Sequence, residues 1–233
     1  MGLTVIAPGA GEVVGDKPGR RVEILSDRDP VHATLSRFGP GMEGADLHVH
    51  QHHTDFFYVL EGELTVRLGV QDEQVRVGAG HLAWVPPHVV HGFRNAGDAD
   101  MRYLNLHAPG CRFADYMRSI RDGDPLAYDQ HDPPADGGRP IEEAHVAGGE
   151  EIADGVTLLA DLVVLRATRE RGATEPRRLH VLASYYALEG DLVLTHGAEE
   201  VYAPAGSWVQ VPPGHEHAVD GRFLSVTAPS STT

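Results

Sequence analysis

Residues 47–62 read LHVHQHHTDFFYVLEG. In an extended chain successive side chains point to opposite faces, so His48 and His50 project to one side. Asp55 follows a short polar break. A strand running on from Asp55 carries Phe57 and Val59 on the same face. Farther along, GHLAWVPPHVVHGFRN (residues 80–95) supplies a fourth polar candidate, His91. Neutral imidazole is the commonest metal ligand, and imidazoles joined by a carboxylate suit a first-row divalent ion. His48, His50, His91 and Asp55 are therefore the candidate metal ligands. His-X-His alone is a weak signal. Its weight here comes from the acid, from His91 and from the Gly/Pro framework around them. His52 keeps the parity of His50 and is an alternative ligand or a pocket base. The blander reading, with His52 and His53 both in a solvated turn, is preferred. His32, His81, His88 and His107 carry no spacing signal.

The same pattern returns later in the chain. YVLEGELTV (58–66) is echoed by YALEGDLVL (186–194), and residues 80–95 by GSWVQVPPGHEHAVDG (206–221). The offset is 128 residues at Gly62/Gly190 and 126 at Gly80/Gly206, Pro86/Pro212 and His91/His217. Four anchors with a two-residue slip indicate a duplicated unit. Within each unit the chain reads as short strands. Leu64, Val66 and Leu68 alternate with Thr65 and Arg67, and Pro86-Pro87 and Pro212-Pro213 each begin a bend.

Phe113, Tyr116, Met117 and Ile120 have helical spacing and predict one short amphipathic helix packed on the sheet. The Pro-, Gly- and Asp-rich stretch 123–140 then reads as a linker in which His131 is solvated. The domain boundary falls near Pro140, giving residues 1–140 and 141–233.

Bulk composition bounds the function. The 233 residues suffice for one large or two small cores. Twenty-seven glycines and sixteen prolines between apolar runs favour an all-β fold. A net charge of −15 disfavours nucleic acid and anionic membranes as partners. Cys111 stands alone, so no internal disulfide forms; it reads as a small buried hydrophobe, and a cytoplasmic location is expected. The amino-terminal residues lack the pattern of a signal peptide. The tail 229–233 reads as frayed.

Two motifs carry a family resemblance. The first is His48-X-His50, four residues, Asp55, six residues, Gly62; the second is Gly80, five residues, Pro86, four residues, His91, three residues, Asn95. In this order they resemble the two conserved motifs of the cupin superfamily. Asp55 stands where that family usually has Glu, and His88 where it usually has Gly. The resemblance implies two tandem jelly-roll β-barrels of six to eight strands joined by a short helix. It also implies a divalent transition metal held by His48, His50, Asp55 and His91 in the first barrel. Fe2+ is the expected ion, one per chain, with Mn2+, Ni2+, Co2+ and Zn2+ as alternatives. At the repeat offset His48, His50 and Asp55 map to Pro176, Arg178 and Ala183, so the second barrel is expected to lack metal. It then serves as a structural unit, a dimerisation surface or an apolar pocket. His180 and His215 do not have the spacing to rebuild a site.

The first unit looks most like the quercetin 2,3-dioxygenase group of cupins, through residues 48–66, 80–104 and the APG-plus-helix that follows. That likeness implies an oxidoreductase using dioxygen on a flat enolic or phenolic substrate. Asp55 is then metal ligand or base for the substrate hydroxyl, and Phe57, Val59 and Phe93 line the substrate pocket. A metal-dependent isomerase or lyase and a non-catalytic small-molecule-binding cupin are the alternatives.

Overall fold

The computed structural model describes residues 2–229. The tail expected to fray, from Ser230 on, lies outside the described residues. By internal contacts the chain divides into two compact units. One is Glu12–Gly148; the other combines Met1–Gly11 with Gly149–Thr233. The expected boundary at 140 therefore moves to 148, and residues 1–11 change sides. Backbone pairing is the reason. His145–Ala147 is an edge strand against Leu82–Val85, and Thr4–Ile6 pairs with Trp208–Val211.

The first unit is two antiparallel sheets. Seven strands run in the order His145–Ala147, Leu82–Val85, Thr54–Glu61, Met101–Ala108, Val31–Phe38, Arg20–Arg28, Glu12–Lys17. Three more run Glu73–Gly78, Glu63–Leu68, His91–Arg94. This is more than the six to eight strands expected, because edge strands at both ends extend the larger sheet. Its inner face contributes Phe38, Phe57, Val59 and Tyr103 to a core that the smaller sheet closes with Leu64, Val66, Val77 and Phe93. The arrangement is that of a jelly roll, alternate residues of each strand filling the space between sheets.

Motif residues with no chemistry of their own have structural reasons. Gly62 adopts φ +72, and a Cβ there would stand 2.6 Å from the Asp100 carbonyl oxygen. The Asn95 amide donates to the carbonyls of Phe38, Gly39 and Ala99 and fastens the end of its strand. His88, where the resembling family usually has glycine, takes the left-handed φ of +68 that favours glycine. Its N–H donates to the His50 carbonyl at 2.7 Å, and its carbonyl accepts from Arg139 N–H.

The second unit is a nine-stranded antiparallel system built on the long strands Leu182–His196 and Glu216–Ala228. Its core includes Tyr185, Leu192, Leu194, Val209, Val211 and Phe223. Register supports the repeat: Asp55 pairs with Val85, and Ala183 with Val211. Among the described residues, no helix is long and apolar enough to cross a membrane.

Candidate metal centre

Two backbone pairings bring the ligand segments together. His48 and His91 exchange N–H···O bonds of 2.8 and 2.9 Å, and Asp55, the second residue of the strand Thr54–Glu61, pairs with Val85. His48, His50, Asp55 and His91 are all buried, and one ligand atom from each lies within 4.8 Å of the others. The sequence expectation of these four as a cluster is met in space.

The direction of each ring follows from its second nitrogen. His48 Nδ1 lies 2.6 Å from the Asp46 carbonyl and His91 Nδ1 3.0 Å from the Val89 carbonyl. His50 Nδ1 meets the Asp129 carbonyl. A carbonyl only accepts, so each Nδ1 carries the proton and each neutral ring turns an Nε2 lone pair to the centre. The His48 and His50 Nε2 atoms stand 3.1 Å apart. Asp55 Oδ2 lies 3.4 Å from the Nε2 of both His50 and His91. In the neutral state that a metal requires, these lone pairs converge beside the carboxylate, an arrangement that a cation satisfies. Asp55 Oδ1, buried and without a hydrogen-bond donor, adds to that demand. The donor set of three imidazoles and one carboxylate fits a first-row divalent ion.

Burial, then the neighbouring rings of His91 and His50, push the His48 imidazole down to about 3, the neutral form a metal requires. Burial alone would raise Asp55. The imidazoles of His107 and His50 outweigh it and hold the carboxyl well below its usual range.

A second group of polar side chains adjoins the first. His107 lies opposite Asp55 in the strand register, with Nδ1 3.0 Å from Asp55 Oδ1. Its Nε2 faces Asn105 Oδ1 at 3.1 Å, and its ring stacks on Phe113 at 3.7 Å. The Tyr128 hydroxyl sits 2.8 Å from His107 Nδ1 and 3.0 Å from His53 Nε2. Asp129 accepts from His53 Nδ1, from His52 N–H and, through its other oxygen, from Gln51 N–H.

Sequence reasoning missed this group. His53 is fully buried, not solvated, while His52 is exposed and neither ligand nor pocket base. The stretch 123–140 is no free linker: residues 128–131 clasp the ligand loop, His131 exchanging backbone bonds with Val49. His107 did have a signal. Tyr103, Asn105 and His107 alternate along one face of their strand, three polar groups pointing into a barrel. Tyr128 and Asp129 had none, because their partners lie far off in sequence: His107 and His53 are 21 and 75 residues from Tyr128, and His53 is 76 from Asp129.

His48, His50 and Asp55 form one wall of a cavity of about 710 Å3 within this unit, and His91 is not among its lining residues. Phe93 lines it, but Phe57 and Val59 do not; they are completely buried in the core. Strand parity chose the correct face of the sheet, and packing then filled that part of the face with core. The lining is mixed, not apolar: Thr34, Ser36, Tyr103 and Asn105 border it alongside the helix. The predicted helix is present as Phe113–Asp122, and Phe113, Tyr116, Met117 and Ile120 all face the cavity.

In the second unit the equivalent place is filled by other interactions. Arg177 stands opposite His217, shifting the expected equivalence of His48 by one residue from Pro176. Arg177 pairs with Glu170 at 3.2 Å, and His217 Nε2 is taken by the Tyr185 hydroxyl at 2.6 Å. His180 is exposed. Among the described residues, the clustered metal-type ligands all belong to the first unit.

The buried histidines make the metal-free protein acid-sensitive. Burial lowers His32, His48, His53, His107 and His217, with His53 pushed down to about 4. His50 goes the other way, because Asp55 outweighs its burial. Between the unfolded value of about 6.5 and the depressed folded values, the unfolded chain binds more protons. Stability is therefore lost as pH falls through that window, and the one raised group offsets only part of the loss. Denaturant titration of chelated protein is expected to show a lower midpoint at pH 5 than at pH 7. An equal or higher midpoint at pH 5 would contradict this.

Comparison with known proteins adds to the geometry. Residues 34–107 match the family model described as a cupin domain. A stretch of 132 residues, 54% of this chain, is 29% identical to quercetin 2,3-dioxygenase of Bacillus subtilis (strain 168). The match covers 36% of that protein, so the chain corresponds to little more than a third of its relative. In fold, the chain superimposes on the Escherichia coli protein Ylba with a TM-score of 0.72 at 13% identity, covering 97% of this chain and 90% of the other. It superimposes on salicylate 1,2-dioxygenase from Pseudoaminobacter salicylatoxidans with a TM-score of 0.59 at 17% identity, covering 85% and 71%.

Proposed function

We propose, on the premise that residues 34–107 form a cupin domain, that the unit Glu12–Gly148 is a metal-dependent dioxygenase acting on a flat enolic or phenolic small molecule. The observation that carries this reading is the buried cluster of His48, His50, His91 and Asp55, three of whose members, His48, His50 and Asp55, stand on the wall of a ligand-sized cavity. The likeness to quercetin 2,3-dioxygenase supports the reaction class.

In this reading His48, His50 and His91 hold one divalent transition ion, Fe2+ before Mn2+, Co2+, Ni2+ or Zn2+, and Asp55 adds Oδ2. When bound, such an ion supplies Lewis acidity and, if redox-active, one-electron reactivity toward dioxygen. The protein's own groups do the remainder. Asp55 Oδ1, without a donor, takes the proton of the substrate hydroxyl. The His107 ring, positioned by the Tyr128 hydroxyl at Nδ1 and by Asn105 Oδ1 at Nε2, borders that oxygen. Phe93, Phe113 and Tyr116 offer ring surfaces to a planar ligand and exclude water.

The test reconstitutes chelated protein with each metal in turn. Dioxygen uptake is followed with a flavonol, catechols, hydroxybenzoates and β-diketones. Uptake above the free-metal background with at least one pair is expected. Its absence throughout the panel would shift the reading to a metal-dependent isomerase or lyase on a hydroxy-keto compound. The hydroxyl and amide groups of Thr34, Ser36 and Asn105 on the cavity wall suit that class, which consumes no dioxygen.

A further inference from the structure

Two basic side chains on the cavity wall, Lys17 and Arg20, have no acidic partner. Arg20 opens the strand Arg20–Arg28 and pairs in register with Phe38. Its guanidinium lies over the Phe38 ring, 4.7 Å from the centroid. Among the described residues neither basic group forms an ion pair with a carboxylate. The contrast with nearby arginines is sharp. Arg21 is held by Glu23 at 2.6 Å and Asp16 at 3.1 Å, and Arg121, which also borders the cavity, by Glu12 and Asp122 at 2.8 Å each. In a chain of 34 acidic and 19 basic residues, carboxylates are in excess. An arginine left without one is a consequence of where the fold places it.

That placement has a chemical meaning. The Phe38 face holds the guanidinium at 4.7 Å while, among the described residues, no carboxylate pairs with its N–H groups. A planar fork of this kind matches a carboxylate through two parallel hydrogen bonds. A neutral flavonol-like ligand makes no use of such a group. The Ser36 and Tyr103 hydroxyls border the same cavity and offer further polar contacts.

Building on the metal-site reading above, we propose that the substrate is an organic acid: its carboxylate is taken by Arg20, while its hydroxyl or enol oxygen is presented to the ligand cluster of His48, His50, Asp55 and His91. Lys17, exposed at the rim, attracts the anion. Arg20 thereby sets specificity, excluding uncharged analogues that would leave the guanidinium unpaired in a partly closed cavity.

The experiment is binding, measured by calorimetry without dioxygen on protein loaded with Zn2+. The probes are 2-hydroxybenzoate, 3,4-dihydroxybenzoate and a hydroxycinnamate, each beside its uncharged amide. At least one acid is expected to bind roughly 10- to 100-fold more tightly than its amide, the worth of a charge-assisted pair. Arg20→Gln should remove that preference, with metal content and melting temperature kept, and Arg20→Lys should restore part of it. Equal binding of acids and amides, or an acid preference that survives Arg20→Gln, would overturn the proposal. So would no binding of any acid. The dioxygenase reading fails separately. Acid binding that depends on Arg20 without dioxygen uptake would retain the anion site and discard the oxygenase. Uptake with neutral substrates at an unchanged KM in Arg20→Gln would do the reverse.

Discussion

Replacing His48 and His50 together by alanine is expected to abolish metal binding, whereas His217→Ala leaves metal content unchanged. Elemental analysis of the wild-type protein should find close to one divalent transition ion per chain. The asymmetry rests on what each imidazole has left to give. His48 and His50 turn free lone pairs toward Asp55 and His91, while the Nε2 of His217 already meets the Tyr185 hydroxyl at 2.6 Å beside the Arg177–Glu170 ion pair. Melting curves give a second readout. An ion that binds only the folded form stabilises it by about 2.7 kcal/mol at a hundredfold excess over its dissociation constant. Wild type and His217→Ala should gain melting temperature on metal addition, and the double variant should not. Two tightly bound ions per chain, or loss of metal from His217→Ala, would refute a single site in the first unit.

The Asp55→Asn substitution is expected to cut turnover by roughly 10²- to 10⁴-fold, the usual contribution of a positioned base, while metal content stays near normal. The two carboxylate oxygens face different neighbours. Oδ2 lies 3.4 Å from both His50 and His91 Nε2, and Oδ1 is 3.0 Å from His107 Nδ1. Asparagine keeps an oxygen to offer the ion but has no basic oxygen to take a proton. Turnover is followed as dioxygen uptake and metal as ions per chain. Loss of the ion together with the activity would make Asp55 an indispensable ligand, and unchanged turnover would remove it from the chemistry.

Much of this site could be read from local pattern. His48, His50 and Asp55 share a short stretch whose two-residue period fixes which side chains face inward. His91 comes from the matching Gly–Pro–His–Asn motif, and the loss of the cluster in the second unit follows from the repeat. The all-β architecture and the helix from Phe113 rest on the same kind of evidence, periodicity within one window. The failures share a different cause. Phe57 and Val59 lie on the correct face yet belong to the core, because how far along a strand the cavity ends depends on what the opposite sheet supplies. Residues 145–147 and 4–6 exchange sides because an edge strand joins whichever open edge lies beside it in space.

The sequence by itself determined the β fold with its internal repeat, the four residues of the candidate ligand cluster and their replacement at the matching positions of the second copy. Only the tertiary structure decided the surroundings of that set. It buried His53, brought His107 opposite Asp55 and laid Tyr128 and Asp129 across the ligand loop. It also left Arg20 on the cavity wall without a carboxylate. Side-chain parity is a property of a few consecutive residues and survives any global arrangement. Contacts between residues 50 and 129, or between 20 and a cavity, exist only once distant strands have closed into a barrel, and no local period encodes that closure.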